Sequence, residues 1–158
     1  MERKEDFVDK NENLFLENQL CFALYSTSLT MGKAYQPLLN ELGVTYSQYL
    51  VLMVMWQNEQ MTVSTLGQKL YLDTGTLTPL LKRLEQAGLI QRKRSDEDER
   101  QVLVSLSSKG KELRKKAVGF PEKILCAMES TASETSSIVK TLKSLRESLL
   151  KSELLKKK

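Results

Sequence analysis

The fold is decided by residues 62–106, which read TVSTLGQKLYLDTGTLTPLLKRLEQAGLIQRKRSDEDERQVLVSL. Thr62 and Asp73 are residue types that cap helix N-termini, and each precedes a stretch with leucines at helical spacing. Gly88 follows the second stretch, as glycine commonly does at the end of a helix. We therefore expect two short helices joined by a tight turn, which is the helix-turn-helix arrangement.

The periodicity changes after Gly88 from helical to alternating. In residues 90–94 and 102–106 the pattern has a period of two, so that every second side chain would point to the same face, which is typical of extended strands. The polar residues 95–101 lie between them and predict a loop. A β-hairpin directly after a helix-turn-helix predicts a winged helix.

The remainder of the 158-residue chain is rich in helix-forming residues, and its 7 glycines and 3 prolines argue against an all-β sandwich. A long first helix is predicted from about Leu14 to Gln36, ending near Pro37. A T-x-x-Q capping box beginning at Thr45 predicts a buried second helix. The last helix carries apolar residues at spacings of four, three and four: Ile138, Leu142, Leu145 and Leu149. The predicted fold is mostly α with a small β-hairpin wing.

These segments predict three parts. Residues 1–44 hold an N-terminal dimerisation helix, residues 45–106 a winged helix-turn-helix, and residues 107–158 C-terminal dimerisation helices. Because the apolar seam of the last helix is narrow, it requires a partner helix, and we expect a two-fold homodimer. The alternative is that the terminal helices close the domain within one chain.

The chain has no histidine and two cysteines, so it lacks the residues for a zinc site, a Ser-His-Asp triad or a Cys-His dyad. We expect no enzymatic activity, no metal and no cofactor. No apolar run reaches the roughly 20 residues of a membrane span, and the charged start is unlike a signal peptide. The prediction is a cytoplasmic protein without membrane contact, in which Cys21 and Cys126 are core residues or reactive thiols rather than a permanent disulfide.

The second helix of the pair would place its N-terminal part in the major groove of DNA, where hydroxyl side chains reach bases and cations reach phosphates. Residues of suitable type there are Thr74, Gly75, Thr76, Thr78, Lys82 and Arg83. The alternative is that Asp73 and the threonines serve only as helix caps. Pro79 leaves two possibilities, a continuous helix that tilts or a regular helix that begins with Thr78 as its cap.

The predicted hairpin tip carries four carboxylates, in residues 96–99, between Arg94 and Arg100. Carboxylates facing phosphates would be repelled, so we expect them to face away or to pair with arginines, leaving Arg100 free to enter the minor groove. Both arginines are DNA-binding candidates, and the alternative is a generic acidic turn. Bulk charge is weak support for DNA binding, because the net +4 divides into −4, +1 and +7 over residues 1–61, 62–106 and 107–158.

Three stretches of the chain closely resemble the MarR family of bacterial repressors: DTGTLTPLLKRLE at 73–85, GLI at 88–90 and RKRSDEDER at 92–100. The stretch NQLCFALY at 18–25, with Tyr35 and Tyr46, is similar to the organic hydroperoxide resistance regulators of that family. The likeness covers nearly the whole chain. It implies a homodimeric winged-helix repressor that binds double-stranded operator DNA with an inverted repeat and responds to an organic hydroperoxide.

The resemblance also implies residue roles. Cys21 is the sensor thiol, held by Tyr35 and Tyr46 of the other subunit with Tyr25 nearby. Cys126 matches the resolving cysteine of members with two cysteines, and Arg100 matches a DNA-contacting arginine of the wing tip. Without the family, the cysteines are most simply interpreted as small core residues and the tyrosines as half-buried packing residues.

The proposed chemistry requires a thiolate, because a thiol is a poor nucleophile toward a hydroperoxide. Cys21 is expected inside the first helix, where the N-terminal dipole is a turn or more away and helps little. Tyrosine hydroxyls that donate hydrogen bonds to sulfur favour the charged form, and apolar neighbours favour an organic peroxide over hydrogen peroxide. Oxidised Cys21 would condense with Cys126 of the partner and change the spacing of the two recognition helices. Two alternatives are release by a non-covalent phenolic or fatty-acid ligand, and a thiol peroxidase.

Overall fold

The computed structural model describes residues 14–156, which form eight helices and three strands. In chain order these elements are α1 Leu20–Leu42, α2 Tyr46–Met55, β1 Gln60–Thr62, α3 Val63–Leu70, α4 Thr74–Gln86, β2 Ile90–Arg94, β3 Val102–Leu106, α5 Ser108–Ala117, α6 Phe120–Ala127, α7 Ala132–Lys151 and α8 Glu153–Lys156. The chain divides into two compact units, residues 1–114 and 115–158. The predicted winged helix-turn-helix is confirmed and lies in the first unit, whereas the three-part division by function stays a prediction.

The helix-turn-helix forms where the capping residues place it. The Thr62 hydroxyl accepts a hydrogen bond from the Thr65 amide at 3.1 Å, and the Asp73 carboxylate accepts one from the Thr76 amide at 2.8 Å. The leucines that follow the two caps are completely buried and form the core of the unit: Leu66, Leu77, Leu81 and Leu84. Burying each such side chain contributes about 1.5–3 kcal/mol.

The wing belongs to a three-stranded antiparallel sheet of order β1-β3-β2 rather than to an isolated hairpin. Met61 of β1 pairs with Val104 of β3, and Arg92 of β2 pairs with Val104 from the other side. The sequence did not predict β1, because three residues between two helices are too few to show a period of two. Its middle residue, Met61, is buried and joins the sheet to the core.

The first helix begins later than predicted. A short 3₁₀ turn occupies Leu16–Asn18, and α1 starts at Leu20 with Gln19 as an N-cap that makes no side-chain cap hydrogen bond. The prediction of a start near Leu14 was therefore wrong. Because no Ser, Thr, Asp or Asn stands directly before Leu20, the sequence lacked the usual signal for the first turn.

The first helix also continues beyond the predicted end at Pro37. It runs to Leu42 and stops where Gly43 adopts a left-handed conformation with φ of 67°. Proline inside a helix costs about 3 kcal/mol through its missing N–H and a steric clash. The leucines after it, Leu38, Leu39 and Leu42, are buried, and this burial outweighs that cost at about 1.5–3 kcal/mol each.

Of the two possibilities at Pro79, the structure has the continuous helix. α4 runs from Thr74 to Gln86 with Pro79 inside it, so a helix beginning after a Thr78 cap is wrong. The Thr78 hydroxyl instead donates a hydrogen bond to the carbonyl of Thr74 at 2.7 Å. Leu77 and Leu81 are buried on either side of the proline and hold the helix against the core.

The second unit contains α6, α7 and α8. α7 begins with a capping box, in which Thr131 and Glu134 exchange hydrogen bonds between side chains and amides. Side chains of its predicted apolar seam remain exposed, at 57% for Ile138 and 52% for Leu149. The seam is therefore not covered by the described residues of the second unit.

Candidate functional site

The N-terminal turn of α4 presents the predicted DNA-binding residues Thr74, Gly75, Thr76 and Thr78 to solvent. Two of their hydroxyl protons are already used within the chain, because Thr76 Oγ1 donates to Asp73 Oδ2 at 2.8 Å and Thr78 Oγ1 to the Thr74 carbonyl. Hydrogen bonds from the Thr76 amide and hydroxyl lower the pKa of Asp73, which keeps this cap ionised. A hydroxyl oxygen that donates in this way still has lone pairs to accept from a base.

A β-carbon at position 75 would lie 3.0 Å from the Asp73 carboxylate. Glycine there leaves space for the cap as well as for a close approach of DNA. Lys82 and Arg83 follow on the same helix and are exposed.

The wing tip is organised by Asp98. Its carboxylate accepts hydrogen bonds from the backbone amide of Arg100 at 3.0 Å, from Arg100 Nε at 3.3 Å and from Gln101 Nε2 at 3.3 Å. The Arg100 amide and side chain lower the pKa of Asp98. The side chain of Arg100 nevertheless stays 92% exposed. Asp98 therefore pairs with the arginine that we expected to be free, and it restrains that arginine at Nε.

A second acid of the tip pairs with a lysine rather than with an arginine as expected, because Asp96 accepts from Lys93 at 2.7 Å. Arg94 is exposed on β2. Ser95 is buried, and its hydroxyl oxygen accepts from the amides of Glu97 and Asp98 at 3.2 and 3.4 Å. These hydrogen bonds stabilise the turn that carries the side chains of the wing tip.

A groove of about 680 Å³ separates the wing from the two helices of the helix-turn-helix. Its lining includes the predicted residues Thr74, Thr78 and Arg100, and also Ser64 and Thr65 of α3, which sequence reasoning missed. The signal was present, since the Thr62 cap locates the N-terminal turn of α3. Hydroxyls on two helices and an arginine on the wing suit contacts to a nucleic-acid backbone.

The wing is fastened to α4 by an ion pair that the sequence did not reveal. Arg92 donates from Nε and Nη2 to Glu85 Oε2 at 3.0 and 2.6 Å, and its backbone amide donates to Oε1 at 3.2 Å. The side-chain hydrogen bonds from Arg92 lower the pKa of Glu85. Arg92 of β2 thus connects the wing to Glu85 of α4.

Cys21 is the second residue of α1 and is exposed. The expectation that it lies well inside the helix is wrong, because the helix starts at Leu20 and its positive N-terminal dipole end is adjacent to the sulfur. The apolar side chains around it are exposed as well, with Leu20 at 59% and Tyr25 at 62%. A thiol in such a place is accessible to a reagent in solution.

Tyr35 and Tyr46 form a contacting pair with ring centroids 5.2 Å apart. Burial, and for Tyr35 also the neighbouring Tyr46 and Tyr49, raises the pKa of both phenols. Both therefore keep their protons at neutral pH and can donate hydrogen bonds to an anion. Within one chain Tyr35 is far from Cys21, since the two residues are 14 positions apart on α1, a rise of about 21 Å.

Cys126 is the other thiol, on α6 of the second unit, and it is exposed and not in a disulfide. The interpretation of Cys21 and Cys126 as small core residues is therefore wrong, because both side chains are exposed. The resolving role of Cys126 stays a prediction. Among residues 14–156, no helix combines the length and apolar character needed to cross a bilayer. In the same range, no three Cys, Asp or Glu side chains come together as a metal site.

Comparison with known proteins gives consistent matches. A family model described as transcriptional regulator SarA/Rot matches residues 33–117. The organic hydroperoxide resistance transcriptional regulator of Bacillus subtilis (strain 168) is 50% identical over 141 residues, which are 89% of this chain and 96% of that protein. These relatives are regulators of transcription, which confirms the prediction that the chain is not an enzyme.

Two solved structures of AbfR, a protein of Staphylococcus epidermidis, are also similar. Reduced AbfR bound to DNA matches with a TM-score of 0.74 and 34% identity, over 90% of this chain and 99% of that one. Disulfide-formed AbfR matches with a TM-score of 0.61 and 35% identity, over 90% of this chain and 97% of that one.

Proposed function

The chain belongs to the winged-helix transcriptional regulators of the SarA/Rot and MarR type, within the organic hydroperoxide resistance regulators, and from this we propose that it is a redox-sensing repressor. It binds operator DNA as a homodimer through α4 and the wing. Oxidation of Cys21 by an organic hydroperoxide releases the DNA, through a disulfide between Cys21 and Cys126 of the partner subunit.

One observation carries this proposal: Cys21 lies in the first turn of α1, and Tyr35, which contacts Tyr46 of α2, lies about four turns further along the same helix. Their separation of about four turns also places Cys21 and Tyr35 within about 40° of each other around the helix axis. When two α1 helices pack antiparallel across a two-fold axis, Cys21 of one chain lies beside the partner subunit's Tyr35. The sensor site is therefore incomplete in one chain and complete in a dimer.

The exposed apolar side chains support the same dimer. Leu20, Tyr25 and Leu29 of α1 are more than half exposed, as are Ile138 and Leu149 of α7. Exposed apolar surface on this scale marks an interface in a soluble protein. A second copy of the chain would cover it and would enclose Cys21 in an apolar pocket suited to an alkyl hydroperoxide.

The chemical step follows from these groups. The Cys21 thiolate attacks the terminal peroxide oxygen, the O–O bond breaks, and the alkoxide leaves and takes up a proton as the alcohol. Sulfur loses two electrons and becomes a sulfenic acid. Condensation with the thiol of the partner's Cys126 then forms the S–S bond and expels water. The neutral tyrosine phenols supply the hydrogen bonds that favour the reacting thiolate.

Release of DNA follows if the disulfide moves the two recognition helices, because operator half-sites lie at a fixed spacing. The AbfR structures support a thiol switch of this kind, because the similar protein AbfR has been solved bound to DNA in its reduced form and, separately, with a disulfide formed.

The test is a gel shift with a DNA duplex selected by this protein from a random pool. One equivalent of cumene hydroperoxide should weaken binding by about 5- to 150-fold, the usual range for coupled sites. On a non-reducing gel the wild type should run as a covalent dimer. Cys21→Ser should keep its DNA after peroxide treatment, and Cys126→Ser should be oxidised without forming the covalent dimer.

Two outcomes would contradict the proposal. The first is release of the Cys21→Ser protein by peroxide. The second is release of the wild type by a phenol or fatty acid, but not by peroxide, with both thiols unmodified in the mass spectrum.

A further inference from the structure

Aromatic contacts continue from the Tyr35–Tyr46 pair along α2. The Tyr35 ring centroid lies 5.8 Å from that of Tyr49, and the Tyr49 centroid lies 5.9 Å from that of Trp56 in an edge-to-face arrangement of 70°. Tyr49 is buried, so its ring is held on all sides. A displacement of Tyr35 therefore has to be accommodated by Tyr49 and then by Trp56.

Trp56 connects α2 to the start of α5. Its indole Nε1 donates a hydrogen bond of 2.9 Å to the carbonyl of Gly110, a residue 54 positions further along the chain. The indole has a single donor, so this bond uses all of its hydrogen-bonding capacity.

Gly110 lies at the base of the wing. A β-carbon at this position would collide with the carbonyl oxygen of Leu89. The Gly110 amide donates to Ser107 Oγ at 3.0 Å, and Ser107 in turn donates from its hydroxyl to the Gly88 carbonyl and from its amide to the Leu89 carbonyl, at 2.6 and 3.0 Å. Gly88 and Leu89 join the recognition helix α4 to β2. The position of Gly110 therefore fixes the exit of α4 and the root of the wing.

From these contacts we propose that Trp56 is a positioning residue, which transmits a displacement of the Tyr35–Tyr46 pair through Tyr49 to the base of the wing. The inference rests on the proposed function, in which oxidation of Cys21 disturbs the partner subunit's Tyr35. It goes further by assigning the route within one chain from the sensor tyrosines to the DNA-binding elements.

The first test uses the wild type alone. Trp56 is the only tryptophan of the chain, so tryptophan fluorescence reports on this position and no other. One equivalent of cumene hydroperoxide should shift its emission in the wild type and leave it unchanged in Cys21→Ser. An unchanged emission in wild-type protein that has released its DNA overturns the proposal, whatever the variants do.

The second test separates transmission from sensing. In Trp56→Phe the bond to Gly110 is lost, and the peroxide-induced loss of operator affinity should shrink by about tenfold relative to the wild type, within the usual range of coupling. The rate at which Cys21 is oxidised, followed by thiol titration, should stay the same. Tyr49→Leu should behave like Trp56→Phe, while Tyr49→Phe keeps the ring and should restore the wild-type response.

The matched control is Val51→Ala, on the same helix and completely buried, which loosens the core and leaves all four aromatic residues in place. It should lower the unfolding temperature and keep the full release of DNA. If Trp56→Phe releases DNA as the wild type does, the proposal is wrong while the repressor function stands. If the oxidised wild type itself keeps its DNA, it is the proposed function that fails.

Discussion

The helix-turn-helix and the long terminal helices differ in the solvent exposure of their apolar side chains. Leu66, Leu77 and Leu81 are completely buried within one chain, whereas Leu20 of α1 and Ile138 of α7 are more than half exposed. In the helix-turn-helix, residues close in sequence bury the leucines. The terminal helices are also rich in leucine, but these side chains remain exposed to solvent. The difference shows that the helix-turn-helix buries its core within one chain, whereas α1 and α7 leave apolar surface exposed. In the proposed function a second copy of the chain covers that surface.

The largest expected effect on folding stability tests the helix-turn-helix, which we call the closed region because its leucines are buried within one chain. Leu81→Ala removes a fully buried side chain of α4, and we expect it to lower the free energy of unfolding by about 2–5 kcal/mol. Urea unfolding followed by circular dichroism, at one fixed protein concentration, measures this change. The matched control is Leu154→Ala, which removes the same atoms from a side chain that is 88% exposed and should cost far less. Equal losses in the two variants would contradict the division between closed and open regions.

The next effect tests the open region, by which we mean α1 and α7 with their exposed apolar side chains. Leu142→Asp places a carboxylate on the exposed seam of α7, and burying it unpaired in a dimer costs about 3–5 kcal/mol. We therefore expect the dissociation constant of the dimer to rise at least about 100-fold, measured by sedimentation equilibrium. The isolated chain should keep its helix content, because Leu142 is already 41% exposed. Lys143→Ala, at the next exposed position, should leave the dimer intact. A Leu142→Asp protein that stays dimeric would show that the seam serves another purpose.

Local signals predicted the closed region well. The caps at Thr62, Thr45 and Asp73, the glycine after α4 and the alternation of the wing all depend on residues close in sequence, and the structure contains each of them. The ends of α1 failed because long-range burial overrides Pro37 and because no capping residue marks Leu20. Strand β1 failed because it is only three residues long.

The candidate site was harder to predict from residue patterns. Cys21, Tyr35 and Tyr46 were identified through a family resemblance. Residue patterns could not connect them, because within one chain Cys21 lies about 21 Å along α1 from Tyr35. The hydrogen bond from Trp56 to Gly110 joins residues 54 positions apart. No periodicity along the sequence encodes that contact. The ion pair of Glu85 and Arg92 was missed for a similar reason, since it spans the turn from a helix to a strand.

The smallest effect concerns the part of the closed region that lies nearest to solvent, the ion pair between α4 and the wing. Hydrogen bonds from Arg92 lower the pKa of Glu85 below its ordinary value of 4.5. The folded state thus favours the carboxylate. Its stabilising contribution is complete above the ordinary pKa, and it is lost as the pH falls through the lowered pKa of the folded state. Because the two side chains are 26% and 36% exposed, solvent screening limits the contribution to about 1 kcal/mol or less.

Glu85→Gln removes this titration, so the wild type should exceed the variant in stability by at most about 1 kcal/mol at pH 7, and the difference should shrink as the pH falls from 4.5 toward 3. Urea unfolding at several pH values between these limits measures it. Asp96→Asn is the control, because its pair with Lys93 is 72% and 82% exposed, and its loss should change the free energy of unfolding less than the loss of the Glu85 pair does. A difference between wild type and Glu85→Gln that stays constant with pH would mean that packing, rather than charge, holds the wing. In that case the wing would belong to the packed core of the closed region and would not depend on a solvent-exposed ion pair.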